Sequence, residues 1–239
     1  MTDVKKLYDS TAKRYDLRQN NPFTKILRER EISLIKKHVK GRILDIGCGT
    51  GYHLKFLKKL GNKSSFGIDI SSNMLMEAKT QNLIHASAEE LPFYYNTFNS
   101  ILCMFTTLNL FDYDKSIKEM RRILSDDGTV ILSVASIWDK KFLPLKERLT
   151  SNIKSHRKRL RIDKYFINLK LFSKDELVDL FKKHGFELTD FSGLFILQRP
   201  LWGNFNITRD QGIKLKEEKT LSRRFAHAAC MYLAVFKKV

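Results

Sequence analysis

A glycine-rich turn directly after a buried strand constrains the fold of this chain more than any other feature. The apolar run at 43–46 is followed by Gly47, Gly49 and Gly51. Glycines at alternate positions let the backbone turn sharply and leave the main chain open to a ligand. A second short apolar strand ends at Asp69, where a carboxylate can accept hydrogen bonds from ribose hydroxyls. The spacing therefore predicts a nucleoside-type cofactor above the carboxyl ends of parallel strands.

Short apolar segments alternate with amphipathic ones, which predicts an α/β fold. We expect right-handed crossovers and a doubly wound, mostly parallel seven-stranded sheet with helices on both faces. The expected parallel strands lie at 43–46, 66–70, 83–86, 100–106 and 129–135, and the helices between them lie at 53–60, 72–78 and 112–124. A capping box at Ser173 begins a helix that ends near residue 184. Strands at 187–193 and 231–236 are expected to form an antiparallel C-terminal edge.

The length of 239 residues suits a single domain with one elaboration. We expect an N-terminal helical lid at 1–40, in two pieces broken near Pro22, and a cofactor-binding core at 41–138. A basic insertion or cap follows at 139–170, and 171–239 supplies the rest of the sheet. Within that last part, 199–224 is typical of a basic loop.

The third glycine separates this motif from a dinucleotide fingerprint, because Tyr52 stands where that fingerprint needs glycine. The G-x-G-x-G spacing resembles motif I of the class I S-adenosylmethionine-dependent methyltransferases. Three further segments resemble the subgroup that contains the ubiquinone and menaquinone C-methyltransferases. They are the "YD…A…YD" segment at 8–16, Ser-Ala-Glu-Glu-Leu-Pro-Phe at 87–93 with Asn-Thr-Phe at 96–98, and the helix and turn at 119–129. Together the four cover roughly residues 8–138.

The resemblance implies S-adenosyl-L-methionine as the cofactor and assigns its contacts. The backbone at Gly47, Gly49 and Gly51 would lie against the methionine part and the ribose, and Asp69 would bind the ribose hydroxyls. The remaining candidates are Asp45 for the amino group, directly or through water, Ile70 and Met74 around the adenine, Ala88 and Glu89 beside the adenine ring, Phe105 facing the methyl group, and Tyr15 closing over the carboxylate. For Asp45, Met74, Glu89, Phe105 and Tyr15, ordinary structural roles are the alternative.

Two positions depart from the family pattern. Ser87 stands where the family usually has an Asp that contacts the adenine amino group, so that contact is weaker or made differently. Asn99 replaces the Asp after Phe98, which concerns packing more than chemistry.

Several reaction types lack their motifs. The (D/N)-P-P-(F/Y) tetrapeptide of amino methylation is absent, and no cysteine lies in a Pro-Cys or Thr-Cys pair. Five side chains are bases only in principle, and each fits a structural or exposed role better: His53, His85, His227, Asp112 and Asp114. We therefore name no catalytic residue and no metal site, since such transfer needs alignment rather than a triad.

The charge favours anionic partners. The chain carries 44 basic and 26 acidic residues, a net charge of +18, which suits nucleic acid, an anionic membrane surface or an acidic substrate. A lysine-rich proteome is the alternative. Ten of the basic residues lie at 140–164, with apolar residues at near-helical spacing. This segment is interpreted as an acceptor-covering cap, an RNA-binding surface, a membrane-surface helix or a solvated helix face.

The sequence thus predicts a cytoplasmic methyltransferase acting on a small, apolar or aromatic acceptor. Three widely spaced cysteines fit a reducing compartment, and no apolar run reaches the length of a membrane span. RNA is the alternative acceptor, as in the tRNA wobble-uridine methyltransferases, whose paired histidines are replaced here by Leu108-Asn109. A third hypothesis is a non-catalytic cofactor-binding module that acts through its basic surface.

Overall fold

The computed structural model describes residues 3–138, 155–195 and 226–239. Six helices lie in these ranges: α1 (Asp3–Arg18), α2 (Pro22–His38), α3 (Tyr52–Lys59), α4 (Ser72–Glu77), α5 (Tyr113–Ile123) and α6 (Lys174–Lys183). The strands are β1 (Ile43–Ile46), β2 (Ser65–Asp69), β3 (Leu83–His85), β4 (Phe98–Cys103), β5 (Leu124–Ala135), β6 (Ser155–Ile162), β7 (Tyr165–Phe172), β8 (Phe186–Leu194) and β9 (Met231–Lys238).

Seven of these strands form the main sheet, in the order β3-β2-β1-β4-β5-β9-β8. The first five strands of that order pair in parallel, and β9 runs antiparallel between β5 and β8. The predicted doubly wound sheet with an antiparallel C-terminal edge is therefore confirmed. The order reverses between β1 and β4, so the switch point lies where a ligand crevice is expected in such sheets.

Each face of the sheet is covered by an apolar layer. One layer contains Leu44 and Ile46, and the other contains Ile43 together with Leu27 and Ile35 of α2. Successive side chains of β1 thus enter opposite layers, which is the period-2 alternation of a strand buried on both sides.

Polar side chains set the helix starts that the sequence predicts. Asn21 accepts a hydrogen bond from the backbone of Thr24 and begins α2, while Pro22 occupies its first turn. Ser71 caps α4, and Ser173 accepts from the backbone of Glu176 to begin α6.

The end of β4 differs from the sequence prediction. The strand stops at Cys103 rather than at residue 106, because Phe105 and Thr106 adopt φ values of 57° and 66° that no strand can contain. The expected strand at 129–135 begins earlier, at Leu124. The predicted turn at 126–128 remains as an irregularity in the pairing, with Asp127 at φ 60°.

The helical interpretation of the basic segment is wrong for its described part. Residues 155–172 form an antiparallel hairpin, β6–β7, that makes its own two-stranded sheet. Residues 139–154 and the expected basic loop at 199–224 lie outside the described residues. None of the described helices combines the length and apolarity needed to cross a membrane.

Candidate cofactor and acceptor site

A cavity of about 430 Å³ lies over the carboxyl ends of β1, β2 and β4, between helix α1 and the β6–β7 hairpin. Nine of the eleven predicted site residues line it: Tyr15, Gly47, Gly49, Asp69, Ile70, Met74, Ala88, Glu89 and Phe105. The other two, Asp45 and Gly51, lie outside its lining. The sequence thus selects residues that the fold brings to one place.

The glycine loop requires glycine for reasons of both space and conformation. Gly47 has a φ of 69°, and a Cβ built on it would lie 2.4 Å from Cγ2 of Thr107. Gly49 has a φ of 53°, and its N–H donates a 2.8 Å hydrogen bond to Oδ2 of Asp69. The loop after β1 and the end of β2 are therefore joined directly.

Asp69 is held in place by two backbone N–H groups. Its Oδ1 accepts from Ser71 at 2.8 Å and its Oδ2 accepts from Gly49 at 2.8 Å. Burial raises the pKa of this carboxyl, and the two hydrogen bonds oppose the rise. A carboxylate offers about four acceptor positions, so both oxygens keep capacity for the hydroxyls of a ligand.

Helix α1 closes one side of the cavity with two tyrosines, and two of its aspartates hydrogen-bond to the rest of the protein. Tyr8 and Tyr15 both line the cavity. Asp9 accepts a 2.6 Å hydrogen bond from Oγ of Ser71, and Asp16 accepts one of 2.8 Å from Oγ1 of Thr50. The "YD…YD" segment therefore supplies a pair of cavity-facing rings and a pair of anchors. Burial, reinforced by the charge of Asp69, raises the pKa of Tyr8 to about 12 and keeps its phenol neutral.

The opposite wall contains the residues predicted to surround an adenine. Met74 and Ala88 are buried with their surfaces on the cavity. Ser87 also lines the cavity, and its Oγ accepts a 3.2 Å hydrogen bond from the backbone of Glu89. The carboxylate of Glu89 accepts from the backbone N–H of Asp112 at 3.0 Å. Glu89 is thus tied to the start of α5 as well as facing the cavity.

The buried side chains of Asp45, His53 and Glu31 form a polar network next to the glycine loop. Oδ2 of Asp45 is buried, has no hydrogen-bond partner among the described residues, and lies 3.9 Å from Nδ1 of His53. Nε2 of His53 lies 3.1 Å from Oε2 of Glu31, and Oε1 of Glu31 accepts from the backbone N–H of Phe105 at 3.2 Å. Ser133 also donates to Glu31. Burial raises the pKa of Asp45 to about 7.

Sequence reasoning missed Glu31. Its only signal is an acid on the apolar face of α2, four positions after Leu27 and three before Leu34, where a charge needs a buried partner. The fold supplies that partner from α3 and from the turn after β4.

Most of the alternative bases are engaged elsewhere. Hydrogen bonds from His184 and Lys183 lower the pKa of Asp114 to about 2, and Asp112 caps α5. His85 binds the backbone oxygen of Ile70. Burial raises the pKa of the Cys103 thiol, which makes it a poor nucleophile. Among the residues that the structure describes, no group of three or more His, Cys, Asp or Glu is arranged to hold a metal ion.

Comparisons with known proteins agree with this geometry. Residues 44–132 match the model of a family described as "Methyltransferase domain". An uncharacterized protein of Methanocaldococcus jannaschii is 35% identical over 214 residues, which are 83% of this chain and 82% of that protein.

The chain belongs to the class I S-adenosylmethionine-dependent methyltransferases.

A demethylmenaquinone methyltransferase of Staphylococcus aureus is 33% identical over 141 residues, 54% of this methyltransferase and 58% of the relative. The chain thus spans less than two thirds of that enzyme's length. A structure of an S-adenosylmethionine-dependent methyltransferase from Listeria monocytogenes, described as putative, has the same fold. Its TM-score is 0.63 at 18% identity, and the match covers 89% of this chain and 99% of that one.

The residues of the methyltransferase cavity fit S-adenosylmethionine, the cofactor of this family. The open glycine backbone and the Asp69 carboxylate suit a nucleoside, and the partnerless oxygen of Asp45 suits an amino group or a water bound to one. The cavity volume is within the usual range for small ligands, about 300–1,000 Å³. When bound, the cofactor supplies a methyl group attached to a sulfonium, and the neutral thioether that leaves on transfer needs no further activation.

The turn after β4 and the hairpin supply another part of the cavity wall. Thr107, Leu110 and Phe111 line the cavity from below, and β7 lines it with Phe166, Ile167 and Asn168. Sequence reasoning placed Phe105 and Thr107 here and expected the basic insertion as a cover, but it did not single out Leu110, Phe111 or the three residues of β7.

Asn109 fixes the hairpin beside the cavity. Its buried amide accepts from the backbone of Ala135 at 3.0 Å and donates to the backbone oxygens of Ala135 and Lys170. One side chain therefore joins β5 to β7.

Proposed function

We propose that this methyltransferase transfers the methyl group of S-adenosyl-L-methionine to a small, apolar or aromatic acceptor. The acceptor would bind under helix α1 and the β6–β7 hairpin, next to Phe105. The observation that carries this proposal is the largely apolar wall on that side of the cavity. Its members are Val4, Phe105, Leu110, Phe111, Phe166 and Ile167.

The proposed chemistry requires alignment more than proton transfer. Holding donor and acceptor in line can contribute about 7–11 kcal/mol to lowering the barrier. In this chain, the rigid loop at Gly47 and Gly49 would fix the donor end, and Phe105 and Phe166 would limit the positions open to the acceptor. The same side chains would keep water from the reacting groups.

The predicted cofactor contacts remain part of the proposal. Asp69 would bind the ribose hydroxyls, and Tyr15 would close over the methionine carboxylate. Because Asp45 lies behind the cavity wall, we propose that it holds the amino group through a water molecule. Ile70 and Met74 would enclose the adenine, and Ala88 would contact its edge.

Similarity to a named relative supports this acceptor class. The S. aureus relative is named for demethylmenaquinone, an aromatic and apolar acceptor. We propose the same general class of acceptor here. We also propose that the protein acts in the cytoplasm, and that its chain is divided into the lid, core, insertion and C-terminal part predicted from the sequence.

Two alternatives are less favoured: RNA as the acceptor, and a non-catalytic role. The amide of Asn109, at the place of the paired histidines of wobble-uridine enzymes, is engaged with backbone groups of β5 and β7. The cavity wall is also mostly apolar, as at Phe105, with a few polar groups such as Glu89, and this mixture is typical of small-molecule sites.

A labelled-methyl experiment tests the proposal. The protein is incubated with methyl-labelled S-adenosylmethionine and an extract separated into RNA, lipid and small-molecule fractions. We expect label in the lipid or small-molecule fraction, and loss of that label with Asp69→Ala. Label only in RNA would refute the acceptor class, and no label in any fraction would favour the non-catalytic alternative.

A further inference from the structure

A second hollow continues the cofactor cavity toward α5. It has a volume of about 420 Å³ and lies between the start of α5 and the hairpin. Four residues line both hollows and so mark their junction: Glu89, Leu110, Phe111 and Asn168. A ligand in the second hollow, which we call the outer chamber, would therefore reach directly toward the methyl donor.

Most charged side chains of the outer chamber are already neutralised. Asp114 pairs with Lys183 at 3.1 Å and with His184 at 3.0 Å. Lys170 forms an ion pair with Glu176. Asp112 lies 3.7 Å from Lys115, so three of the five charged residues in the lining have an oppositely charged partner, and Glu89 and Arg157 are the other two.

Arg157 differs from them. Its Nη2 donates to the phenol oxygen of Tyr113 at 3.3 Å, and the guanidinium carbon lies 5.9 Å from the centre of that ring. It forms no ion pair with any carboxylate in the described part of the chain. The carboxylates of Asp112 and Glu176 are near enough to attract it, but neither is within ion-pair distance, and the exposed guanidinium lines the outer chamber.

The strand register extends this positive charge along the hairpin. Residues two apart on a strand share a face, about 6.6 Å apart, so Arg157, Arg159 and Arg161 lie in one row. Arg159 pairs with Asn168 across the hairpin, and its guanidinium carbon lies 4.4 Å from the ring centre of Phe166. Arg159 and Arg161 line neither hollow, but Arg159 lies beside the cavity residues Phe166 and Asn168, whereas Arg161 donates to the backbone oxygen of Asp163.

We propose that the acceptor carries an anionic group, a carboxylate or a phosphate monoester, which Arg157 binds in the outer chamber with support from Arg159. The apolar body of the acceptor lies against Leu110 and Phe111 and points toward the methyl donor. This inference rests on the proposed function and adds a charged group to the acceptor class.

The charge distribution orients such an acceptor. Glu89 lies at the junction of the two hollows and repels an anion there, while Arg157 attracts it at the far end. A guanidinium can hold a carboxylate or phosphate through two parallel hydrogen bonds. The contact with Tyr113 orients Arg157 before a ligand arrives.

Aromatic probes of matched size test the proposal. Phenyl phosphate, benzoate and neutral benzamide are titrated by calorimetry into the protein, with and without saturating S-adenosylhomocysteine. We expect the wild type to bind one or both anions about tenfold more tightly than benzamide. Comparing the two anions distinguishes phosphate from carboxylate recognition.

Variants on the same strand provide matched controls. Arg157→Gln should weaken anion binding about tenfold, and Arg159→Gln should weaken it by a smaller factor. Arg161→Gln removes the same charge from the same face and should leave anion binding within about twofold.

Several outcomes would overturn the proposal. Equal affinity for benzamide and the anions, or no difference between Arg157→Gln and Arg161→Gln, would remove the anion site. Tight binding of single-stranded oligouridylate that all three arginine variants weaken equally would replace it with a polyanion surface. Failure of S-adenosylhomocysteine to bind would instead refute the proposed function, while the probe titrations without it would still report on Arg157.

Discussion

The carboxylate of Glu31 accepts a hydrogen bond from the backbone N–H of Phe105, 74 positions further along the chain, at 3.2 Å. This contact joins helix α2 to the turn that ends β4. Phe105 has a left-handed φ of 57° there and presents its side chain to the cavity. Such a conformation is costly for a bulky residue and persists only where its surroundings enforce it. Glu31 therefore helps to shape the cavity wall at Phe105 from outside the cavity.

We expect Glu31→Ala to lower the free energy of unfolding by about 3 kcal/mol, because it leaves His53 buried without its hydrogen-bond partner and leaves the Phe105 N–H with Ser133 alone. Urea unfolding measures the change. Glu29→Ala is the matched control, since Glu29 is exposed on the same helix, and it should cost no more than about 0.5 kcal/mol. Equal losses in the two variants would contradict the role of the network.

Gly47→Ala tests crowding in the glycine loop. The new Cβ would combine an unfavourable φ with a 2.4 Å approach to Thr107, and we expect a loss of about 3 kcal/mol with weaker cofactor binding. Gly61 has a φ of 82° and open space around its Cβ position. Gly61→Ala should therefore cost only about 1 kcal/mol and leave cofactor binding unchanged. Thermal unfolding measures the loss of stability, and titration calorimetry measures the loss of cofactor binding.

Asp69→Ala should lower the affinity for S-adenosylmethionine about 100-fold, because it removes a charged acceptor for the ribose and the bond from Gly49. Isothermal titration measures the affinity. Asp126→Asn serves as the control, since that side chain is 91% exposed at a turn. Unchanged affinity in Asp69→Ala would contradict the assignment of the ribose site.

Asp45 should make stability depend on pH. Burial raises its pKa to about 7, whereas the unfolded value is about 4. Between those values the folded protein keeps a proton that the unfolded chain has released. The free energy of unfolding should therefore fall as pH rises through this window, by at most about 4 kcal/mol.

The neighbouring His53 acts in the same direction. Burial lowers its pKa, but the hydrogen bond and charge of Glu31 outweigh that effect and raise it overall, so its contribution to stability is also lost as pH rises. Asp45→Asn should flatten the profile and exceed the wild type in stability near pH ~8, while binding the cofactor more weakly. Parallel urea-unfolding profiles for the two proteins would reject this assignment.

Local sequence signals predicted the parts of the fold that depend on neighbours in the chain. The strand at 43–46 has the expected bounds, and the predicted cap at Ser173 works through a backbone group three residues away. Nine predicted site residues converge because parallel strands end at one edge of a sheet.

The features that were predicted wrongly or missed depend on distant partners or on a weak local pattern. The end of β4 is set by Glu31 and Ser133 acting on Phe105. In the hairpin, Lys158 interrupts the apolar alternation of β6, so the period-2 pattern is weak. Asn109 gives no local sign that its amide will meet the backbone of Lys170.

Under the proposed function, in which the β6–β7 hairpin covers the acceptor, the hydrogen bonds of Asn109 would let such an enzyme change its substrate. In the described part of the chain, the hydrogen bonds of the amide go to main-chain atoms of β5 and β7, and its bond to the hairpin uses a backbone carbonyl oxygen, which every amino acid supplies. Hairpins of different sequence could therefore be grafted at this joint without altering the donor site. Selection could then diversify substrate preference through the hairpin while the residues that contact the nucleoside stay unchanged.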